Sequence, residues 1–277
     1  MTRLLVQLSD PHIKAPGSLA YGRVDTALFL TRAVKSVLAL PQHAEAVLIT
    51  GDLTDHGRAD EYAHLRRLLQ PLRCPVYLLP GNHDERAALR AAFPDHAYLQ
   101  TATRSDGFVQ YAADLSGLRL VVADSVHAGA PHGQLCTERL QQLDALLSQA
   151  PSSPTVLAMH HPPFMTGIGH MDENGLREPS ALEALVRRHP QIERIVCGHL
   201  HRSIQTRWAG TLAMTAPSTA HQVCLDLSAK AASAFVMEPP GFVVHAWGPN
   251  LPLVSHVAAS GQFDGPYPFH ADGALID

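Results

Sequence analysis

Five short stretches place metal-ligating side chains where apolar runs end: Ser9-Asp10-Pro11-His12, Thr50-Gly51-Asp52-Leu53, Pro80-Gly81-Asn82-His83-Asp84, Met159-His160-His161-Pro162 and Cys197-Gly198-His199-Leu200-His201. Together they offer Asp10, His12, Asp52, Asn82, His160, His199 and His201. Carboxylate oxygen, amide oxygen and imidazole nitrogen, with no thiolate, suit divalent ions such as Mn, Fe, Co or Zn. Seven donors exceed one tetrahedral site and fit two ions if one carboxylate bridges them. Glycine stands before Asp52, Asn82 and His199 and leaves the backbone room to approach an ion. A lone Asp or His after a strand is most often a turn cap or a surface residue. Five such stretches in order form a constellation. Asp55 and Asp84 suit turn or helix N-cap roles, and Cys197, ending an apolar run, reads as core. His161 is ambiguous, because two adjacent residues rarely both reach one metal.

Strands must deliver these groups. Arg3–Ser9, Ala46–Thr50, Pro75–Leu79, Thr155–Met159 and Ile192–Cys197 are short apolar runs, and Phe108–Ala113 with Leu118–Ala123 flank a hairpin turn. Between them, Val24–Leu40, Ala59–Leu69, Glu85–Ala92, Thr137–Leu147 (with Thr137 placed to cap it) and Ser180–Arg188 carry helical spacing. Alternating strands and helices predict an α/β fold with a parallel centre, whose C-terminal strand ends line the functional crevice. From Ser203 onward the helical period stops. Five strand-like runs up to Trp247 predict a second sheet packed on the first, within one domain over 1–248. The remainder, 249–277, is rich in Pro, Gly and His and reads as an irregular tail.

Composition excludes several classes. The chain has 277 residues, 46% hydrophobic and 17% charged, which is ordinary for a globular protein and excludes a disordered or coiled-coil chain. No apolar run reaches the roughly 18 residues a membrane span needs, and the first ten residues lack the apolar core of an export signal. A net charge of −4 argues against polymeric nucleic acid as a partner. Four scattered cysteines with no C-x-x-C pair suit reduced thiols in a cytoplasm.

The D-x-H, G-D, G-N-H-D, paired-His and G-H-x-H stretches together resemble the calcineurin-like metallophosphoesterases over roughly the first 205 residues. Tyr21-Gly22-Arg23-Val24-Asp25, His160-His161-Pro162-Pro163, Met171-Asp172-Glu173-Asn174-Gly175 and Ala220-His221-Gln222-Val223 are similar to the branch that holds bacterial glycerophosphodiesterases and class III cyclic-nucleotide phosphodiesterases. The resemblance implies a four-layer αββα sandwich of two mixed sheets flanked by helices, with a small C-terminal cap or dimerisation region and hence a homodimer. It implies one metal held by Asp10, His12, Asp52 and His201, and a second by Asp52, Asn82, His160 and His199, with Asp52 bridging. No ligand position is missing.

The implied reaction is hydrolysis of small phosphodiesters, glycerophosphodiesters favoured, by a hydroxide shared between two ions about 3.5–4 Å apart. His83 is the candidate to protonate the leaving group, since an imidazole exchanges protons near neutrality. His83, His161 and His221 are the candidate substrate contacts. His221 has a plainer reading as a hydrogen-bonded strand-start residue, and the Gly167–Gly175 loop would form a mobile wall. Cyclic-nucleotide hydrolysis is the alternative, with phosphomonoester hydrolysis and a non-catalytic binding module behind it. No arginine stands beside the motifs except Arg202.

Overall fold

The computed structural model describes residues 1–100, 107–271 and 274–275. Parallel strands β1 (Arg3–Leu8), β2 (Ala46–Thr50) and β3 (Val76–Leu79) form one half of the first sheet. Helices α1 (Thr26–Leu38) and α2 (Ala59–Leu69) make the crossovers, and α3 (Arg86–Ala92) follows β3. Strand β2 is wholly buried and apolar but for Thr50, as a parallel strand covered on both faces must be. Along α1, Leu30, Ala33, Val34 and Val37 turn inward at helical spacing, and the Asp25 carboxylate caps the helix by accepting from Leu28 N–H at 3.0 Å.

The hairpin of β4 (Tyr111–Leu115) and β5 (Leu118–Val122) opens the second sheet. It continues through α4 (Thr137–Ser148), β6 (Thr155–Ala158), a one-turn helix α5 (Gly169–Asp172), α6 (Ser180–Arg188), β7 (Ile192–Cys197), β8 (Ile204–Trp208) and β9 (Thr211–Thr215). Its order is β4-β5-β6-β7-β9-β8, parallel at the centre with an antiparallel pair at each edge. Alternation along its strands sorts the layers. Leu120, Val122, Val156, Ala158 and Val196 join the core shared with the first sheet, while Val121, Leu157, Ile195 and Ala213 pack on Leu143, Leu147, Leu182 and Leu185 of α4 and α6. The architecture is the expected four-layer sandwich of two mixed sheets.

The late strands depart from expectation. They do not build the second sheet alone: β8 and β9 complete a sheet begun at β4, and β10 (Gln222–Val223) pairs only with β11 (Phe235–Val236). Strand β12 (Gly241–Gly248) returns to the first sheet, antiparallel to β1. The segment expected to be an irregular tail starts with β13 (Leu251–Ala259), which pairs along β12 and forms the sheet edge. It shows no clean alternation of buried apolar and exposed polar positions (Pro252, Val257 and Ala259 are among those exposed), which hid it. A two-residue pair, β14 (His270–Ala271) with β15 (Ala274–Leu275), closes the described chain, and 272–273 and 276–277 of the tail lie outside the described residues. Helix α4 has Cys136, not Thr137, at its N-cap. Among the described residues no helix is long and apolar enough to cross a membrane.

Candidate metal centre

The C-terminal ends of β1, β2 and β3 from one sheet and of β6 and β7 from the other meet at one edge of the sandwich. There the backbone leaves the strands in an unusual way. Asp10, His12, Asp52, His199 and His201 all adopt positive φ, between 44° and 69°, a left-handed region that side chains rarely occupy. The turns crowd so closely that two glycines are obligatory. A Cβ on Gly51, itself at φ +85°, would run into the His160 ring, and one on Gly81 would run into the Asp52 carboxylate.

All seven expected donors come together, and six of them are buried. Asp52 divides its two oxygens. Oδ2 lies 3.5 Å from His12 Nε2, while Oδ1 lies 3.4 Å from His160 Nε2, which is 3.1 Å from Asn82 Oδ1. Asp10, His12, Asp52 and His201 converge as one ligand group, and His160 and His199 fall with His161 in a second.

The hydrogen bonds decide whether this cluster fits ions. His201 Nδ1 donates to the His221 carbonyl (3.0 Å), and His12 Nδ1 faces the Asp55 carboxylate (3.3 Å). Their Nε2 lone pairs are therefore turned toward each other, 3.1 Å apart. His160 Nδ1 donates to Thr50 O at 2.8 Å, so Nε2 is the atom it turns to the oxygens of Asp52 and Asn82. Buried His199 Nε2 has no partner at all. Acceptors facing acceptors in a dry space are costly, and cations between them remove that cost. The donor set fits divalent ions.

Titration follows the same crowding. Burial, then the His160 charge, pushes His199 down to about 3, and burial with His12 does the same to His201, so both are held neutral as ligands must be. Burial would lower His160 as well, but the Asp52 and Asp10 carboxylates outweigh it and raise it to about 9. Asp52, despite burial, is held well below the usual carboxylate range by His160, His83 and His12. Asp10 goes the other way: burial, only partly offset by the His160 charge, pushes it up to about 6, so its carboxylate lacks the compensating cation that Asp52 has.

A cavity of about 420 Å³ opens over the centre. His83 lines it. Its N–H donates to Asp52 Oδ1 (3.0 Å) and its Nδ1 to Asp55 O (2.9 Å), leaving Nε2 toward the cavity. His221 lines it too, in an aromatic wall with Tyr21 and Phe235, ring centroids 4.8–5.2 Å apart. The His221 carbonyl orients His201, while its ring faces the cleft. His170, Met171 and Asn174 add a further stretch of wall. That stretch is not the mobile glycine loop expected: Asp172 ties it down by accepting from Thr166 N–H, Thr166 Oγ1 and Gly167 N–H at 2.7–2.8 Å.

His161 does not reach the cavity. Its ring is fully buried behind His199, with Nδ1 2.8 Å from Ser125 Oγ and Nε2 3.1 Å from Pro131 O, so both nitrogens are engaged. Arg202 turns away to Val223 O and Glu238, each at 2.7 Å. Asp84 is not an N-cap, a role that falls to Glu85. Its carboxylate accepts from Leu53 N–H, Gly81 N–H and Tyr62 O–H (2.8–2.9 Å) and so joins the Asp52 turn to the Asn82 turn. Asp55, read as a turn residue, orients His12 and pairs with Lys14 at 2.6 Å. Both acids stand within three residues of a ligand, and only that proximity marked them in the sequence.

The fold and this two-sided cluster are those of a phosphoesterase. The family model for calcineurin-like phosphoesterases matches residues 4–203, and the chain belongs to that family. It is 36% identical over 276 residues to a protein of Arcobacter nitrofigilis named as a probable glycerophosphodiester phosphodiesterase, GpdQ, covering 99% of this chain and 100% of that one. It is 34% identical to a protein of Rhodopseudomonas palustris named as a probable cyclic nucleotide phosphodiesterase, covering 98% and 97%. Among solved structures, a dimetal phosphatase from Danio rerio shares the fold with a TM-score of 0.62 at 14% identity, covering 94% of this chain and 99% of that one.

If the Asp52 oxygens serve two sets of donors, Asp52→Ala should retain at most one ion per chain. Gly81→Ala should approach the same deficit by displacing that carboxylate. Elemental analysis of the purified proteins reads both, and two tightly held ions in Asp52→Ala would rule out the bridge.

Proposed function

We propose that this protein hydrolyses small phosphodiesters at a two-ion centre, with glycerophosphodiester-like substrates favoured. The observation that carries the reading is the division of the Asp52 oxygens between two donor sets. Asp10, His12, Asp52 and His201 would hold one ion, and Asp52, Asn82, His160 and His199 the other. Bound there, two divalent ions supply the charge that activates water and neutralises phosphoryl oxygens. Mn, Fe, Co and Zn all suit these ligands.

The chain's own residues do the rest. The left-handed turns hold the ligands fixed before substrate arrives. His83, anchored through Nδ1–H, would in its imidazolium form present Nε2–H to the departing alkoxide oxygen and give it that proton, leaving the neutral imidazole. His221 with Tyr21 and Phe235 contacts the organic side of the diester. Among the described residues no arginine or lysine lines the cavity, which suits a singly charged diester better than a doubly charged monoester. The near full-length match to a protein named for glycerophosphodiesters supports that substrate class. The relative named for cyclic nucleotides keeps that class as the second reading.

The reading extends to a phosphoesterase domain over 1–248, prolonged by β13, and to a cytoplasmic homodimer. Four unpaired cysteines suit a reducing compartment. Exposed Phe263, Tyr267 and Phe269 beyond β13 offer apolar surface to a second copy. Sedimentation at the monomer mass would remove the dimer.

His83→Ala should keep both ions and lose about 10²–10⁴-fold in kcat on glycerophosphodiesters. The loss should shrink on bis-p-nitrophenyl phosphate, whose leaving group needs little protonation. An equal loss on both substrates would assign His83 to phosphoryl binding instead.

His221→Ala should lower kcat/KM and shift the ratio of glycerophosphodiester to cyclic AMP hydrolysis, with metal content intact. The wild-type panel, with p-nitrophenyl phosphate added, decides among the substrate classes. Faster turnover of the monoester than of any diester would overturn the diesterase reading.

A further inference from the structure

A row of buried polar side chains crosses the space between the two sheets and does not stop until it reaches the metal centre. It starts on the second sheet, where Arg194 of β7 donates to Ser255 Oγ on the edge strand β13. Ser255 Oγ lies 2.7 Å from Nδ1 of His245 on β12, and His245 Nε2 lies 3.1 Å from Gln7 Oε1 on β1. Gln7 Nε2 then reaches Thr50 Oγ1 on β2 and the Cys197 carbonyl of β7, each at 3.0 Å. Thr50 Oγ1 is 2.6 Å from Ser9 Oγ, which is 2.5 Å from Asp10 Oδ2. Gln7, Ser9, Thr50 and His245 are fully buried.

Two groups settle the direction of every bond. The Cys197 carbonyl can only accept, so the amide nitrogen of Gln7 faces it and the amide oxygen faces His245. His245 Nε2 must then carry the hydrogen. Its Nδ1 accepts from the Ser255 hydroxyl, and the Ser255 oxygen accepts from Arg194, which can only donate. Burial, with the Arg194 charge second, lowers His245 to about 3 and keeps it neutral, as this tautomer requires. At the other end the single Ser9 proton goes to Asp10, so Thr50 donates to Ser9. All the donors along the row point the same way, from the Arg194 cation to the Asp10 carboxylate, and bonds aligned in this manner polarise one another.

We propose that Arg194, Ser255, His245, Gln7, Thr50 and Ser9 are a positioning chain that sets the orientation of Asp10 and with it the affinity of the first ion site. This rests on the two-ion reading above. Ser9 holds Asp10 Oδ2, which leaves Oδ1 toward His201 Nε2, 3.6 Å away. Thr50 is the branch point. Its hydroxyl serves Asp10 through Ser9, while its carbonyl receives His160 Nδ1–H, so one residue orients a ligand of each ion. A polar row through a core that hydrophobic residues would otherwise fill is a local cost, and such departures mark function more often than stability. The chain also ties the edge strand β13, far in sequence from every ligand, to the geometry of the centre.

The test titrates cobalt(II) alone into the metal-free protein and follows ligand-field absorbance, with melting of the metal-free form read in parallel. Gln7→Glu is nearly isosteric, but ionised it has no hydrogen to donate and protonated it has one, so it cannot serve both Thr50 and the Cys197 carbonyl as the amide does. It should weaken the first cobalt site by about 10–100-fold, the usual worth of an outer-shell partner. Ser255→Ala, on the sheet edge where folding is least at risk, should weaken it by about threefold, while Ser255→Thr keeps the hydroxyl and should match wild type. If Gln7→Glu does not fold, the Ser255 pair decides. Unchanged cobalt affinity in the folded variants, with or without a lower melting temperature, would reduce the row to packing and overturn the inference. Equal weakening by Ser255→Ala and Ser255→Thr would do the same. A wild-type protein that takes up fewer than two cobalt ions would remove the two-ion reading itself.

Discussion

Lone pairs that have nothing to accept from are the constraint on which this structure is built. Asp10, Asp52 and the imidazoles of His12, His160, His199 and His201 are packed almost without solvent access at one edge of the sandwich. The bonds behind them fix which atoms face inward. Thr50 O takes the proton side of His160, His221 O that of His201, and Asp55 that of His12. These three tautomers are thus chosen from outside the centre, and the choice aims the His12 and His201 lone pairs at each other. Such an arrangement is unstable by several kcal/mol unless positive charge joins it. Five left-handed residues add of order 1–3 kcal/mol each. Metal binding offsets both costs, which makes the free energy of binding part of the free energy of folding here.

Two sheets rather than one are needed to make such a site. A single parallel sheet offers its C-terminal ends in a row, as β1, β2 and β3 do, and this places Asp10, Asp52 and Asn82 side by side. Enclosing an ion takes donors from the opposite direction. The second sheet brings β6 and β7 to the same edge, and the turns after them carry His160, His199 and His201. The approach is tight enough that His160 Nδ1 bonds the backbone of β2 directly and His199 N–H donates to Asp10 Oδ1 at 2.9 Å. Contacts of this kind leave no room for a Cβ at Gly51 or Gly81.

The parts legible in the sequence are those with a local signature. Helices α2 and α6 fall where their periodicity puts them, and each of the seven candidate donors stands in a short motif after an apolar run, which is why the group that converges is legible in the sequence. What escaped depends on distant partners. Strand β13 alternates weakly because an edge strand buries little, and its pairing with β12 appears only when β12 crosses back to β1. His161 carries the same motif as His160, yet Ser125 and Pro131, some 30 positions earlier, occupy its nitrogens. Asp84 reads as a cap because caps are local, whereas its partners Leu53 and Tyr62 lie more than 20 residues away.

Gln7 shows why the buried row was invisible. Within β1 it is one polar residue among Leu4, Leu5, Val6 and Leu8, and by itself it would be taken for a flaw in a core strand. Its meaning comes from Thr50, Cys197 and His245, contributed by three other strands across both sheets. A glutamine there must point its nitrogen at a carbonyl and its oxygen at an imidazole, and that choice fixes the protonation of every neighbour. The same logic governs the centre itself, where backbone carbonyls dictate the tautomers of His160 and His201. The active edge and the polar row are therefore one hydrogen-bonded system, whose directions are set by groups that can only donate or only accept. Removing the hydrogen-bonding group of any member breaks a sequence of bonds that ends on an Asp10 oxygen.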